Sequence, residues 1–299
     1  MTEADRPTLY PPFGNLEVIG KQMDKDVKFA FVGGGNMAAN LIGALVSGGC
    51  NPKNFRVADP DPSQRNRLRQ RFGVEITDDN AAAATGADVV ILAVKPQVAA
   101  AALQDMAPAP DASLYLSVIA GIREADLRRW LDTDGSIVRA MPNTPALLGC
   151  GITGLYCAPS VPGAMRELAE GIMRSSGAVA WVDDEALLDP VTALSGSGPA
   201  YFFLLMEVMT RTGIDMGLDP EAARLLTQET ALGAARMALE SESGVAELRE
   251  RVTSPGGTTA AAMEVLKSRG VPEAIADAIR AAAERASELA TEYGNNRGS

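Results

Sequence analysis

Lys28-Phe-Ala-Phe-Val-Gly-Gly-Gly-Asn-Met-Ala-Ala-Asn-Leu-Ile-Gly-Ala-Leu45 sets how the rest of the chain is read. An apolar strand runs to Val32 and a glycine turn follows. Apolar residues then recur at helical spacing as Met37, Leu41 and Leu45. In G-x-G-x-x-A form the loop supplies Gly33, Gly35 and Ala38. Gly33 permits the sharp turn, Gly35 lets backbone come close to a pyrophosphate, and Ala38 lets the helix lie near its strand. Asn36 and Met37 open that helix, whose unsatisfied N–H groups and partial positive charge favour phosphate. A strand-turn-helix that binds nothing would read similarly. The strand before, the helix after and an acid at the right distance favour a dinucleotide.

That acid is Asp59, closing a second strand, Phe55-Arg-Val-Ala58. It stands roughly 20 residues past the glycines, where a ribose-binding carboxylate belongs. Such a carboxylate suits the free 2′-hydroxyl of NAD(H) and repels a 2′-phosphate. Arg65 and Arg67 in the next helix can answer with positive charge, so NADH and NADPH both stay open.

Composition narrows the chemistry. A net charge of −11 over 299 residues argues against nucleic acid or an anionic membrane as partner. An anionic ligand must then be held locally, by backbone N–H groups and a few cations. No apolar run reaches the ~18 residues of a membrane span, and the first residues lack a signal-peptide layout, so a cytoplasmic protein is expected. Cys50, Cys150 and Cys157 form no CxxC pair, which speaks against a disulfide framework or zinc site and for idle or buried thiols. Histidine is absent. That excludes a Ser-His-Asp triad, a Cys-His pair and any histidine acid, leaving Lys, Tyr, Thr, carboxylate, water or an already reactive substrate.

Residues 1–26 carry Pro7, Pro11, Pro12 and Gly14 without periodicity and read as an arm. From 27 strands and helices alternate. Helices are expected at 63–72, 97–106, 124–131 and 162–175; strands near 74–76, 114–118, 137–140, 152–156 and 179–182. The continuous apolar run after Asp88 suits a parallel sheet covered on both faces. After about Asp184 only helical patterns remain, at 186–194, 199–212, 220–239, 244–252, 258–268 and 272–293. The expected organisation is therefore an arm (1–26), a Rossmann-type α/β domain (27–184) and an all-helical domain (185–299). Phe202-Phe-Leu-Leu-Met206 with Val208 and Met209 is apolar nearly all round. Such a helix must be covered, by its own core or by a second subunit.

Short polar or glycine-bearing islands interrupt the chain. Ala93-Val94-Lys95-Pro96 and Ala120-Gly121 end strands, where ligands bind in open α/β sheets, and can meet nicotinamide or its ribose. The competing reading of Lys95 is a solvated loop lysine. Met141-Pro-Asn-Thr-Pro145 follows the next strand; Asn143 or Thr144 can bond a carboxamide or ribose, or the motif is simply a capped turn. Ser195-Gly-Ser-Gly-Pro-Ala-Tyr201 permits a tight helix crossing. Val252-Thr-Ser-Pro-Gly-Gly-Thr-Thr259 says most. Successive N–H groups of Gly256, Gly257, Thr258 and Thr259 open a helix, and Ser254, Thr258 and Thr259 add hydroxyls, making a carboxylate trap that needs no lysine. An ordinary N-cap needs neither two glycines nor three hydroxyls.

Together Gly-Gly-Gly-Asn-Met-Ala, Ala-Val-Lys-Pro-Gln, Arg-Ala-Met-Pro-Asn-Thr-Pro-Ala-Leu, Ser-Gly-Ser-Gly-Pro-Ala-Tyr and Val-Thr-Ser-Pro-Gly-Gly-Thr-Thr closely resemble the pyrroline-5-carboxylate reductase family, in order and spacing from about 27 to 290. The resemblance implies reduction of 1-pyrroline-5-carboxylate to L-proline by NADPH or NADH, the last step of proline biosynthesis. It implies a helical domain interlocked with that of a second subunit in a homodimer, with rings of dimers, often decamers, beyond it. It also implies that Ser254, Gly256, Gly257, Thr258 and Thr259 hold the substrate, with Thr259 as the catalytic residue and Glu242 near the site. The family usually prefers NADPH; Asp59-Pro-Asp61 is a departure from what that preference would suggest.

Two other readings stand beside it. A β-hydroxyacid-dehydrogenase-like enzyme, or another imine reductase, also joins a dinucleotide domain to helices. The former needs a lysine in the helix after the glycine-rich crossing, and Gly198–Thr212 has none. A non-catalytic dinucleotide sensor would not need the 254–259 turn.

Overall fold

The structure, a computed structural model, describes residues 26–295, so the expected arm lies outside the described residues but for Asp26. Eight strands form one sheet: β1 (Phe29–Val32), β2 (Phe55–Ala58), β3 (Glu75–Thr77), β4 (Val89–Leu92), β5 (Leu114–Ser117), β6 (Ile137–Met141), β7 (Gly151–Cys157) and β8 (Gly177–Trp181). Their order is β3-β2-β1-β4-β5-β6-β7-β8, parallel from β3 to β6. β7 alone turns antiparallel to β6. Residues 142–150 explain the reversal, since a parallel return needs a crossover of about a dozen residues or more. β8 pairs parallel to β7 after α6 (Gly163–Arg174) crosses over.

Side chains alternate across this sheet and both faces are covered. Phe29 and Phe31 pack with Leu41, Ile42 and Leu45 of α1 (Asn36–Ser47) and Ile172 and Met173 of α6. Ala30 and Val32 face the opposite cluster with Leu103 of α4 (Pro96–Gln104) and Leu127 and Trp130 of α5 (Glu124–Leu131). Burial on both faces is why β1 and β4 are apolar without interruption. α2 (Pro62–Phe72) joins β2 to β3. A short α3 (Asn80–Ala84) joins β3 to β4; too brief to show a period, it has no counterpart in the pattern reading. Of the cysteines, Cys157 is buried, Cys50 half-buried and Cys150 exposed.

The expected helix at 186–194 is instead a 3-10 turn (Glu185–Leu187), one turn of α7 (Leu188–Val191) and a π turn (Thr192–Gly196). Its acids are tied to the α/β unit: Glu185 to Arg139 of β6, and Asp189 to Arg123 at the start of α5. Accordingly the first compact unit runs to Gly196 rather than 184 and takes back the chain from Ala282. The second unit, Ser197–Ala281, holds α8 (Gly198–Asp215), α9 (Pro220–Glu240), α10 (Val245–Arg251), α11 (Thr258–Ser268) and the start of α12 (Val271–Gly294). α8 and α9 pack on each other, with Gly213 facing Ala223. Within this single chain Phe202, Phe203 and Leu204 remain more than 60 % exposed. Among the described residues no helix is long and apolar enough to cross a membrane.

Candidate active site

The glycine loop leaves β1 at the point where strand order reverses between β2 and β4. Ligands of open α/β sheets bind beyond the strand ends at such a point. Gly33 sits at φ +99° and donates to Ala58 O (2.8 Å), while Ala93 donates to Val32 O (2.8 Å). A Cβ at Gly33 would lie 2.7 Å from Ala93 O, so the β1 and β4 exits touch backbone to backbone. Gly35, the N-cap of α1, behaves differently. A Cβ there would meet no heavy atom within 4 Å, no side chain caps the helix, and its first turn has no acid. An open cradle at an uncapped helix start fits a pyrophosphate. Asn36 is exposed and Met37 half-buried beside it.

Asp59 follows β2 and points back at this loop: Oδ2 accepts from Gly34 N (2.7 Å) and Oδ1 from Asp61 N (2.9 Å). Arg65, expected to offer charge to a phosphate, turns inward. Its Nη1 donates to the carbonyls of Asp59 (2.7 Å) and Pro60 (3.2 Å), and Nη2 lies 3.7 Å from Asp78. It braces the β2–α2 loop.

Beyond β4, β5 and β6 lies a cavity of about 150 Å³, lined by Pro96, Ala120, Gly121, Met141, Thr192 and Tyr293 among others. Three of the sequence-predicted residues meet there: Pro96, Ala120 and Gly121. Ala93 and Val94 are half-buried and Lys95 is exposed at the start of α4. Asn143 holds scaffold instead of standing free. Its Oδ1 accepts from Ile152 N (3.0 Å) and its Nδ2 donates to Ser195 O (3.2 Å), fastening the turn to β7 and the π turn. Thr144 beside it is exposed.

Pattern reading missed two features of this wall. Tyr293, near the end of α12, lies against Gly121 and accepts a hydrogen bond from Gln97 Nε2 (3.0 Å). No local signal links residues so far apart in sequence. The other feature is an ion-pair network in which Arg139, 5 % exposed, reaches Glu185 (2.8 Å) and Arg123 reaches Asp189 (2.5 Å). Glu185 also accepts from Glu124 N (2.6 Å). Burial pulls the Arg139 guanidinium below its usual pKa range while Glu185 pulls it back up. Here a signal existed: a lone cation in the apolar strand Ile137-Val-Arg-Ala-Met141.

In the helical unit the 254–259 turn opens a helix as its sequence predicts, except that the Gly257 N–H is bonded within the turn and is not a free donor. Gly256 adopts φ +72°, Gly257 N donates to Ser254 O (3.0 Å), and Gly257 starts α11 without a side-chain cap or an acid in the first turn. Ser254, Gly256 and Thr258 are exposed; Gly257 and Thr259 are half-buried. Glu242 is exposed in the turn between α9 and α10.

Residues 28–121 match a family model described as NADP oxidoreductase, coenzyme F420-dependent, and residues 185–289 one described as pyrroline-5-carboxylate reductase dimerisation. A pyrroline-5-carboxylate reductase of Pseudomonas aeruginosa is 48 % identical, over 89 % of this chain and 98 % of the relative. The chain belongs to the pyrroline-5-carboxylate reductase family. Among solved structures, the pyrroline-5-carboxylate reductase of Coxiella burnetii superposes with a TM-score of 0.82 at 42 % identity, covering 88 % of this chain and 98 % of that one. A pyrroline carboxylate reductase from Plasmodium falciparum, described with NADP bound, gives 0.81 at 27 % identity, covering 90 % and 100 %. Membership in the family accounts for the apolar α8 face, which lies within the dimerisation match and is left uncovered in one chain.

Proposed function

We propose that this protein reduces 1-pyrroline-5-carboxylate to L-proline at the expense of NADPH or NADH, the last step of proline biosynthesis. The observation that carries the reading is the uncapped start of α11, where Gly256 turns at φ +72° and Ser254, Thr258 and Thr259 supply hydroxyls within the same short stretch. Those groups grip the substrate carboxylate, Gly257 closes the turn beneath them through its N–H bond to Ser254 O, and Glu242 completes the set. Gly33, Gly35, Asn36, Met37 and Asp59 hold the dinucleotide; Ala93, Val94, Lys95, Pro96, Ala120 and Gly121 border its nicotinamide end. Arg65 and Asn143 act on that site by bracing its loops. The α8 face joins a second subunit, so that each site draws on two chains, and dimers associate into larger rings such as decamers in the cytoplasm.

The bound dinucleotide supplies a hydride. A cyclic imine is basic enough to carry its proton near neutrality and takes hydride at the adjacent carbon. A strong general acid is therefore unnecessary, which suits a chain without histidine. What the residues contribute is orientation. Thr259 bonds the ring nitrogen directly or through a water.

Steady-state oxidation of NADH and NADPH with 1-pyrroline-5-carboxylate tests the activity; a folded protein that oxidises neither overturns it. Thr259→Val should lower kcat/KM roughly 10–100-fold, the worth of a hydrogen bond to a charged group. Thr259→Ser, keeping the hydroxyl, should recover most of it. A valine variant with full kcat/KM removes that role from Thr259.

A further inference from the structure

Resting on the dinucleotide reading of the glycine loop, we infer that this reductase takes NADH in preference to NADPH, with Asp59 as the specificity-determining residue and Asp61 reinforcing it. Asp59 cannot swing aside for a phosphate. One carboxylate oxygen is held by Gly34 N (2.7 Å) and the other by Asp61 N (2.9 Å). Each oxygen keeps a lone pair, enough to accept from the vicinal hydroxyls of an unphosphorylated ribose.

Asp61 places a second carboxylate two residues on. It caps α2, accepting from Ser63 N and Ser63 Oγ (both 2.8 Å), and those bonds hold its pKa below the ordinary range, so it is ionised throughout the working pH. The N-terminus of α2, the natural seat for an added phosphate, is thus already filled by an anion.

All but one of the nearby arginines are committed elsewhere. Arg65 is spent on loop carbonyls and Asp78. Arg56 donates to the carbonyls of Ala82, Ala83 and Thr85 and pairs with Glu75. Arg69 bonds Asn66, and Arg71 lies over the Phe72 ring. Arg67, exposed on α2, is the arginine of that helix with no such partner among the described residues, and so belongs in the test. A 2′-phosphate of charge about −1.5 to −2 would therefore face two fixed carboxylates. The preference sets this chain apart from the solved neighbour described with NADP bound.

Direct titration of the full chain with NADH and NADPH, by calorimetry or tryptophan fluorescence, reads the preference independently of turnover. NADH should bind at least tenfold more tightly. Added salt should narrow the gap by screening the repulsion. The double variant Asp59→Asn, Asp61→Asn keeps acceptors for Gly34 N and for the α2 cap but loses both charges, and should bring the two affinities within about twofold. Arg67→Ala should leave the wild-type ratio unchanged. Equal or tighter NADPH binding by the wild-type chain overturns the preference alone, even if the double variant fails to fold. A folded double variant with an unshifted ratio takes the role from Asp59 and Asp61. Binding of neither dinucleotide overturns the reading of the loop itself.

Discussion

Gly33→Ala is expected to destabilise the sheet domain and abolish dinucleotide binding, whereas Gly35→Ala should fold normally and lose binding alone. Gly33 sits at φ +99°, where an L-residue is strained by about 1–3 kcal/mol. Its new Cβ would also press on backbone, 2.7 Å from Ala93 O and 2.9 Å from Val94 N, and overpacking costs about 1–3 kcal/mol more. Relief requires β1 and β4 to part at the hydrogen bond between Ala93 N and Val32 O. Gly35 has an ordinary φ of −66° and open space where its Cβ would go, so alanine there spares the fold and intrudes only on the cradle. Thermal melting beside a dinucleotide titration separates the two. A Gly35→Ala protein that binds like wild type would take that loop out of the site.

Glu185→Ala should cost about 3–5 kcal/mol, the effect of stranding one partner of a buried ion pair. It leaves the Arg139 guanidinium, 5 % exposed, without its 2.8 Å carboxylate and frees the N–H of Glu124 at the start of α5. Glu185→Gln should cost less, because an amide oxygen still accepts from both groups. Glu75→Ala offers the contrast. Its ion pair with Arg56 is exposed, at 40 % and 63 % for the two side chains, and should be worth less than about 1 kcal/mol. Urea unfolding of the three variants gives the comparison; equal losses for Glu185→Ala and Glu75→Ala would refute a buried electrostatic tie. Because Arg139 and Asp189 also line the cavity beside Gly121, the same variant should disturb that wall of the cavity.

The chain's legibility varied with how local the governing physics is. Strand-turn-helix at 28–45 and the 254–259 turn could be read because glycine geometry and helix starts are set by neighbouring residues. The short α3 could not, since five residues show no period. Nor could the broken segment 185–196, where side-chain ties to Arg139 and Arg123 override helical propensity. Arg65 and Asn143 show the same limit: residue type offered hydrogen-bonding capacity, and backbone brought close by the fold took it up.

By itself, then, the sequence determined a glycine loop between strand and helix, an acid after the second strand, a sheet buried on both faces and a glycine turn opening a helix, all consequences of short-range sterics and periodic burial. Only the tertiary structure decided which polar groups stay available to a ligand. It turned Arg65 inward, pinned Asp59 by both oxygens, reversed β7 and brought Tyr293 against Gly121. Some of those outcomes, such as Tyr293 against Gly121, need a partner far away along the chain; others, such as Arg65 on Asp59 O, need only the folded path of a nearby loop, and a hydrogen bond spent there is no longer open to a ligand.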